Sequence, residues 1–253
     1  MPGSWNPEPC ERATRSAGSS PGTADQAVYQ ERPSKLPGSV VWRRVTTADE
    51  LRILPDGCMD LIWVPGSTLL VAGPDTRVHL VSGPPGRTMI GIRFATGFGP
   101  NVLGVPAHAL TNHRVELEAI WPAAEVRRMQ DRLASSGEPA AVLEAMAIDA
   151  HRADHRGPAI AEMVRQLRAG IPIRRVATAL GISERQIRRH SLDLFGYGPK
   201  TLARILRLNE AIGLARTGLR FADVAADAGY ADKAHLARDV REFAGVPLSR
   251  LLG

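Results

Sequence analysis

One helical pattern occurs twice in the last third of this 253-residue chain, and no other feature limits the fold as much. The first copy is IRRVATALGISERQIRRH, residues 173–190, and the second is FADVAADAGYADKAHLARD, residues 221–239. Val176, Ala177 and Gly181 return 48 positions later as Val224, Ala225 and Gly229. Ile187 and Gly196 return 49 positions later as Leu236 and Gly245, so the second turn is one residue longer. Each copy reads as a short apolar helix, a glycine break, and a second helix rich in Arg, Lys and His. That is the plan of a helix-turn-helix unit, whose second helix can lie in a DNA major groove.

The spacing has physical reasons. Ala177 and Ala225 fall where two helices must approach closely, and Gly181 and Gly229 permit the left-handed backbone that opens the turn. Ser183 and Asp232 are suited to cap the second helices. Within those helices Ile187 and Leu236 face inward. Arg185, Gln186, Arg188 and Arg189 in the first copy, and Lys233, His235 and Arg238 in the second, are left as candidates for contact with base edges. Lys200, Arg204 and Arg207 lie on the joining helix and are expected to touch phosphate. A plain helical bundle with solvated basic faces would explain one copy as well as DNA binding does. It does not explain two copies with matched glycines.

Charge is distributed to match. Residues 157–253 hold 16 Lys and Arg against 9 Asp and Glu, whereas residues 1–156 hold 16 against 17. The whole surplus of positive charge therefore sits in the repeated part, as a phosphate-binding surface requires. Cys10 and Cys58 supply neither a zinc spacing nor a disulfide framework, which suits a cytoplasmic location. Lone Cys58 reads as a small buried residue. No apolar run approaches the ~20 residues of a membrane span. Residues 1–35, rich in Pro, Gly and Ser, read as a disordered tail without a signal peptide.

Residues 36–121 have a different texture. VVWRRV at 40–45, CMDLIWV at 58–64, LLVAG at 69–73, VHLV at 78–81 and MIGIRFA at 89–95 are separated by turn signals such as LPDG and GPDT. This pattern predicts a β-barrel or sandwich-like domain. Residues 122–156 become a helical connector, with Val126, Met129, Leu133, Leu143 and Met146 forming apolar stripes to be buried against the β-domain or a second subunit. In CMDLIWV, Asp60 alternates with Met59 and Leu61, and Arg93 sits among Ile92 and Phe94, so both are charged groups in apolar company. Asp60 and Arg93 can grip a polar effector with Trp42 or Trp63 as an apolar wall, or they form a structural ion pair or are simply exposed to solvent. His108, His113 and Glu116 lie in a loop and early helix rather than at a metal site, and no catalytic constellation or cofactor motif stands out.

The sequence also carries family resemblances. VATALGISERQIRRHSLDLFGYGP, TLARILRLNEAIGLARTG and VAADAGYADKAHLARDVREFAGVP together resemble the DNA-binding domain of AraC/XylS-type transcription regulators. That likeness implies two helix-turn-helix units bridged by one long helix. Ser191 stands where the family usually has a large apolar residue. LPDGCMDLIW, VAGPDTR and GIRFATGFGPNVLGVPAHALTN resemble a small β-rich domain of unassigned function found ahead of such units.

The fold class is therefore expected to be α+β. It comprises a β-rich sensing or dimerising domain at 36–121, the connector at 122–156 and an all-α double helix-turn-helix domain at 157–253. The expected partners are double-stranded DNA, an unidentified small effector and RNA polymerase, with the chain acting as a monomer or homodimer away from membranes. The competing reading is a small-molecule-binding or interaction module whose helices bind a protein instead of DNA.

Overall fold

Alternating β-branched and aromatic residues make VVWRRV, DLIW and TMIGIR the centre of an antiparallel sheet. The computed structural model describes residues 29–47, 50–152 and 157–252. Its strands are β1 (Tyr29–Pro33), β2 (Val40–Val45), β3 (Leu51–Ile53), β4 (Asp60–Trp63), β5 (Leu69–Ala72), β6 (His79–Val81), β7 (Thr88–Arg93) and β8 (Arg114–Glu116). Six of them form one sheet in the order β1-β2-β7-β4-β5-β8, while β3 and β6 make a separate two-stranded ribbon. Strands β1 and β8 do not pair, so the main sheet is open and is not a closed barrel.

One face of that sheet is apolar. Val41, Ile92, Leu61 and Val71 lie side by side across four strands. They are covered by α1 (Gly99–Leu103), α2 (Ala123–Ser135) and α3 (Pro139–Ala150). Val126, Met129, Leu133, Leu143 and Met146 all enter this core, so the stripes on the connector helices are buried within the chain. Glu144 on α3 accepts hydrogen bonds from Arg32 Nη2 (2.8 Å), Ser34 Oγ (2.8 Å) and the Lys35 amide (2.6 Å). Burial alone would raise its pKa, but these donors more than offset that and hold it below the ordinary range.

Two local expectations need correction. Composition places Tyr29–Pro33 in the tail, but it forms an edge strand paired with β2 along its length. Its face is largely exposed, so the ladder and not an apolar pattern holds it, and alternation could not reveal it. Residues 1–28 of the expected tail lie outside the described residues. Second, the expected loop and early helix at 108–116 is a short 3-10 turn, Ala107–Leu110, followed by β8.

The rear of the chain is helical: α4 (Gly157–Arg168), α5 (Ile173–Ala179), α6 (Glu184–Phe195), α7 (Pro199–Arg216), α8 (Phe221–Asp227), α9 (Lys233–Ala244) and α10 (Leu248–Leu252). Gly181 and Gly229 take φ of 65° and 73°, in the left-handed region that side chains disfavour. Ser183 caps α6 through a reciprocal box with Gln186, and the Asp232 carboxylate accepts from the His235 amide at 2.6 Å. Val176, Ala177, Ile187, Val224, Ala225 and Leu236 are buried in one core around α7.

The sheet and the helices meet along a seam. Leu54, ahead of β4, is part of the helical core. Asn209 on α7 donates to the Pro55 carbonyl at 3.0 Å, and Thr111 Oγ1 donates to the Gly196 carbonyl at 2.9 Å. His108 Nδ1 lies 3.4 Å from Asp193 Oδ1 on α6. Among the described residues no helix is long and apolar enough to cross a membrane.

Candidate nucleic-acid interface

A helix presents side chains three and four residues apart on one face. Ile187, Ser191, Leu194 and Phe195 bury one face of α6, and Leu236, Asp239, Val240 and Phe243 bury the matching face of α9. Arg185, Arg188 and Arg189 are exposed on α6, and Lys233 and Arg238 on α9. None of these five side chains has an ion pair or hydrogen bond among the described residues. Lys200 is likewise exposed at the first turn of α7.

The other sequence candidates are engaged elsewhere. Gln186 is exposed, but its Oε1 accepts from the Ser183 amide at 2.9 Å, so it serves the helix start. His235 is half-buried, edge-on to the Tyr230 ring with centroids 5.0 Å apart. Arg204 and Arg207 are partly exposed and paired with carboxylates of α9. Arg204 donates to Asp239 Oδ1 (2.8 Å) and to both Glu242 oxygens, and its guanidinium lies 4.8 Å from the Phe243 ring centroid. Arg207 reaches Asp239 Oδ2 at 3.4 Å and stacks on Tyr230 at 4.3 Å. The spacing of these arginines along α7 was visible in the sequence. Their partner was not, because a lone Asp inside a basic helix gives no sign that it is 2% exposed.

Ser191 also departs from expectation. Its side chain is fully buried, and its Oγ has no hydrogen-bond partner among the described residues. Ser191→Ala removes that desolvated hydroxyl and improves helix propensity, so it is expected to stabilise the protein by about 1–2 kcal/mol. A thermal melt checks this, and a lower Tm would show that the hydroxyl is paired.

On the outer face of the sheet, Asp60 and Arg93 stand directly opposite each other in register. Arg93 is completely buried, with Nε 3.6 Å from both Asp60 Oδ1 and Asp56 Oδ2, and its Nη2 donates to Tyr29 Oη at 3.3 Å. Trp42 Nε1 donates to Asp60 Oδ1 at 2.7 Å. Burial disfavours the Arg93 charge, but Asp60 and Asp56 more than offset this and its pKa is raised. A Cβ on Gly91 would lie 2.3 Å from Trp42 Cζ2, so glycine leaves room for the indole. Trp63 is on the other face, in the core with Leu61, because three residues along a strand reverse the side. The four pocket candidates thus separate: Trp42, Asp60 and Arg93 form a polar network closed by Asp56 and Tyr29, and Trp63 is packing. In the sequence Asp56 shows only as part of the turn LPDG.

Cys58 is buried, as expected of a small residue, and Cys10 lies outside the described residues. Among the described residues no group of three His, Cys, Asp or Glu is placed to hold a metal ion.

Comparison with known proteins places two family models on the chain. A helix-turn-helix domain matches residues 176–253, and a domain of unknown function, DUF6597, matches residues 39–116. No curated protein matches significantly. Among solved structures, the chain is similar to ToxT from Vibrio cholerae O395, at 12% identity and TM-score 0.45, covering 90% of this chain and 99% of that one. Unsaturated fatty acid-bound wild-type ToxT from Vibrio cholerae strain SCE256 gives 10% identity and TM-score 0.46, covering 85% and 94%.

Proposed function

We propose that this chain, an AraC-type DNA-binding regulator that joins a double helix-turn-helix domain to a DUF6597 domain, reads two successive major-groove segments with α6 and α9. The observation that carries this reading is the pair of matched units, each presenting exposed, unpaired cations on its second helix. A protein-binding role for the helical part would leave both that duplication and the segregated positive charge unexplained. Arg185, Arg188, Arg189, Lys233 and Arg238 are the proposed base-reading side chains, and Lys200 a phosphate contact.

The front sheet is proposed to sense a small effector. What supports this is its position: the 3-10 turn and Thr111 pack on the end of α6, and Pro55 is tied to α7. A ligand that shifts this packing acts directly on the helices that face DNA. The Arg93 network is assigned to structure and not to ligand.

The test is a footprint on a duplex selected by the wild-type protein from random sequence. Arg189→Ala should cost about 1–3 kcal/mol and relax preference at one base position. Arg238→Ala should relax preference at a second position about one helical turn away. Protection and sequence preference unchanged in both variants would show that these faces do not read DNA.

A further inference from the structure

The two reading helices are attached to α7 in different ways. α6 runs into α7 through Gly196–Gly198, so the chain itself limits the angle between them. α9 follows α7 only after α8 and two turns, so contact alone fixes its placement. Apolar burial of Leu236, Val240 and Phe243 holds α9 against the core but is non-directional. Direction comes from a polar clamp. Asp239, 2% exposed, accepts from Arg204 on one oxygen and from Arg207 on the other. Arg204 also forks onto Glu242 one turn of α9 further on, and both guanidinium planes rest on aromatic rings, Phe243 of α9 and Tyr230 of the turn before it. Planar forks on carboxylates restrict rotation and sliding far more than apolar contact does.

The clamp has no counterpart in the first unit. Forty-nine residues before Asp239 stands His190, whose side chain makes no such pairing among the described residues. Nor does the clamp supply cations to DNA: its two carboxylates balance its two guanidinium groups.

We propose that Asp239 is a positioning residue for DNA reading. By gripping Arg204 and Arg207 it sets the rotation of α9 on α7, and so fixes the number of base pairs between the segments read by the two units. This rests on the two-unit DNA reading above. Its own content is spacing selectivity, which neither exposed cations nor simple folding would confer.

The experiment uses the full chain and duplexes selected by the wild type from random sequence. Each duplex is then re-made with one or two base pairs inserted between the two protected segments, or with one segment scrambled. The wild type should prefer the selected spacing by about tenfold or more, comparable to a mismatched base pair. Asp239→Asn should reduce that preference to about threefold or less while keeping affinity for a single segment, and Asp239→Glu should restore part of it. Arg204→Lys keeps the charge but loses the fork, and should fail in the same way even where Asp239→Asn folds poorly, with circular dichroism reporting the fold. Retention of the wild-type spacing preference in Asp239→Asn or in Arg204→Lys overturns the proposal. So does an equal loss on single and paired segments, which marks a purely structural role. Absence of any duplex binding by the wild type instead overturns the DNA-reading function itself.

Discussion

Replacing Arg93 with alanine is expected to cost about 3–5 kcal/mol of folding stability, the loss seen when one partner of a buried ion pair is removed. The guanidinium is completely buried and lies 3.6 Å from both Asp60 and Asp56. Alanine would take away the buried guanidinium that both carboxylates face. Domains are stable by only about 5–15 kcal/mol, so the variant should be marginal at physiological temperature. Asp60→Asn in the Arg93→Ala background should recover part of the loss. It removes one of the two negative charges while keeping an oxygen for the Trp42 indole. Urea unfolding followed by tryptophan fluorescence measures both. A loss under about 1 kcal/mol would mean that water reaches this network and screens the pair.

DNA affinity is expected to fall about a thousandfold between 50 and 200 mM salt, with a log–log slope near −5 or steeper, if six phosphates are neutralised. The cations for this are present. Arg185, Arg188, Arg189, Lys200, Lys233 and Arg238 are exposed, as are Arg174 and Arg175 at the start of α5. None of these eight side chains has an ion pair among the described residues. Arg204 and Arg207 are withdrawn from the count by Asp239, so substituting them should alter the slope less than substituting Lys200. A slope near −1 would exclude a broad electrostatic surface.

The helical half was legible because its constraints are local and repeated. A glycine that must adopt positive φ, a cap three residues before an amide and an apolar side chain every third or fourth position each leave a mark within a few residues. The double unit, its caps at Ser183 and Asp232, and the exposed face of α6 could all be read that way. What could not be read depends on partners far along the chain. Asp239 meets arginines more than 30 residues away, Glu144 meets Arg32, and Asp56 meets Arg93. Each residue alone looks like an ordinary surface charge. β1 failed for a related reason: an exposed edge strand is specified by the ladder it joins, and that ladder belongs to β2. For Asp60 and Arg93 the sequence left a pocket and an ion pair open, and the two side chains are paired. Alternation had already put Asp60 and Trp63 on opposite faces, and one cavity could not use both from a single flat strand.

Leu54 belongs to the sequence of the front part but to the core of the rear one. Gly97 lies against Phe195 and Ile160, and Gly57 against Tyr197 and Leu202. A chain cut at 156 would leave those aromatic rings without cover and the excised helices prone to stick. In the intact protein the same seam joins the melting of the sheet to that of the helices. Whatever binds the folded sheet draws the helices toward their ordered state by mass action, and bound DNA returns the favour to the sheet. Communication between the two ends of the molecule then requires no moving part, only a boundary that neither side can abandon by itself.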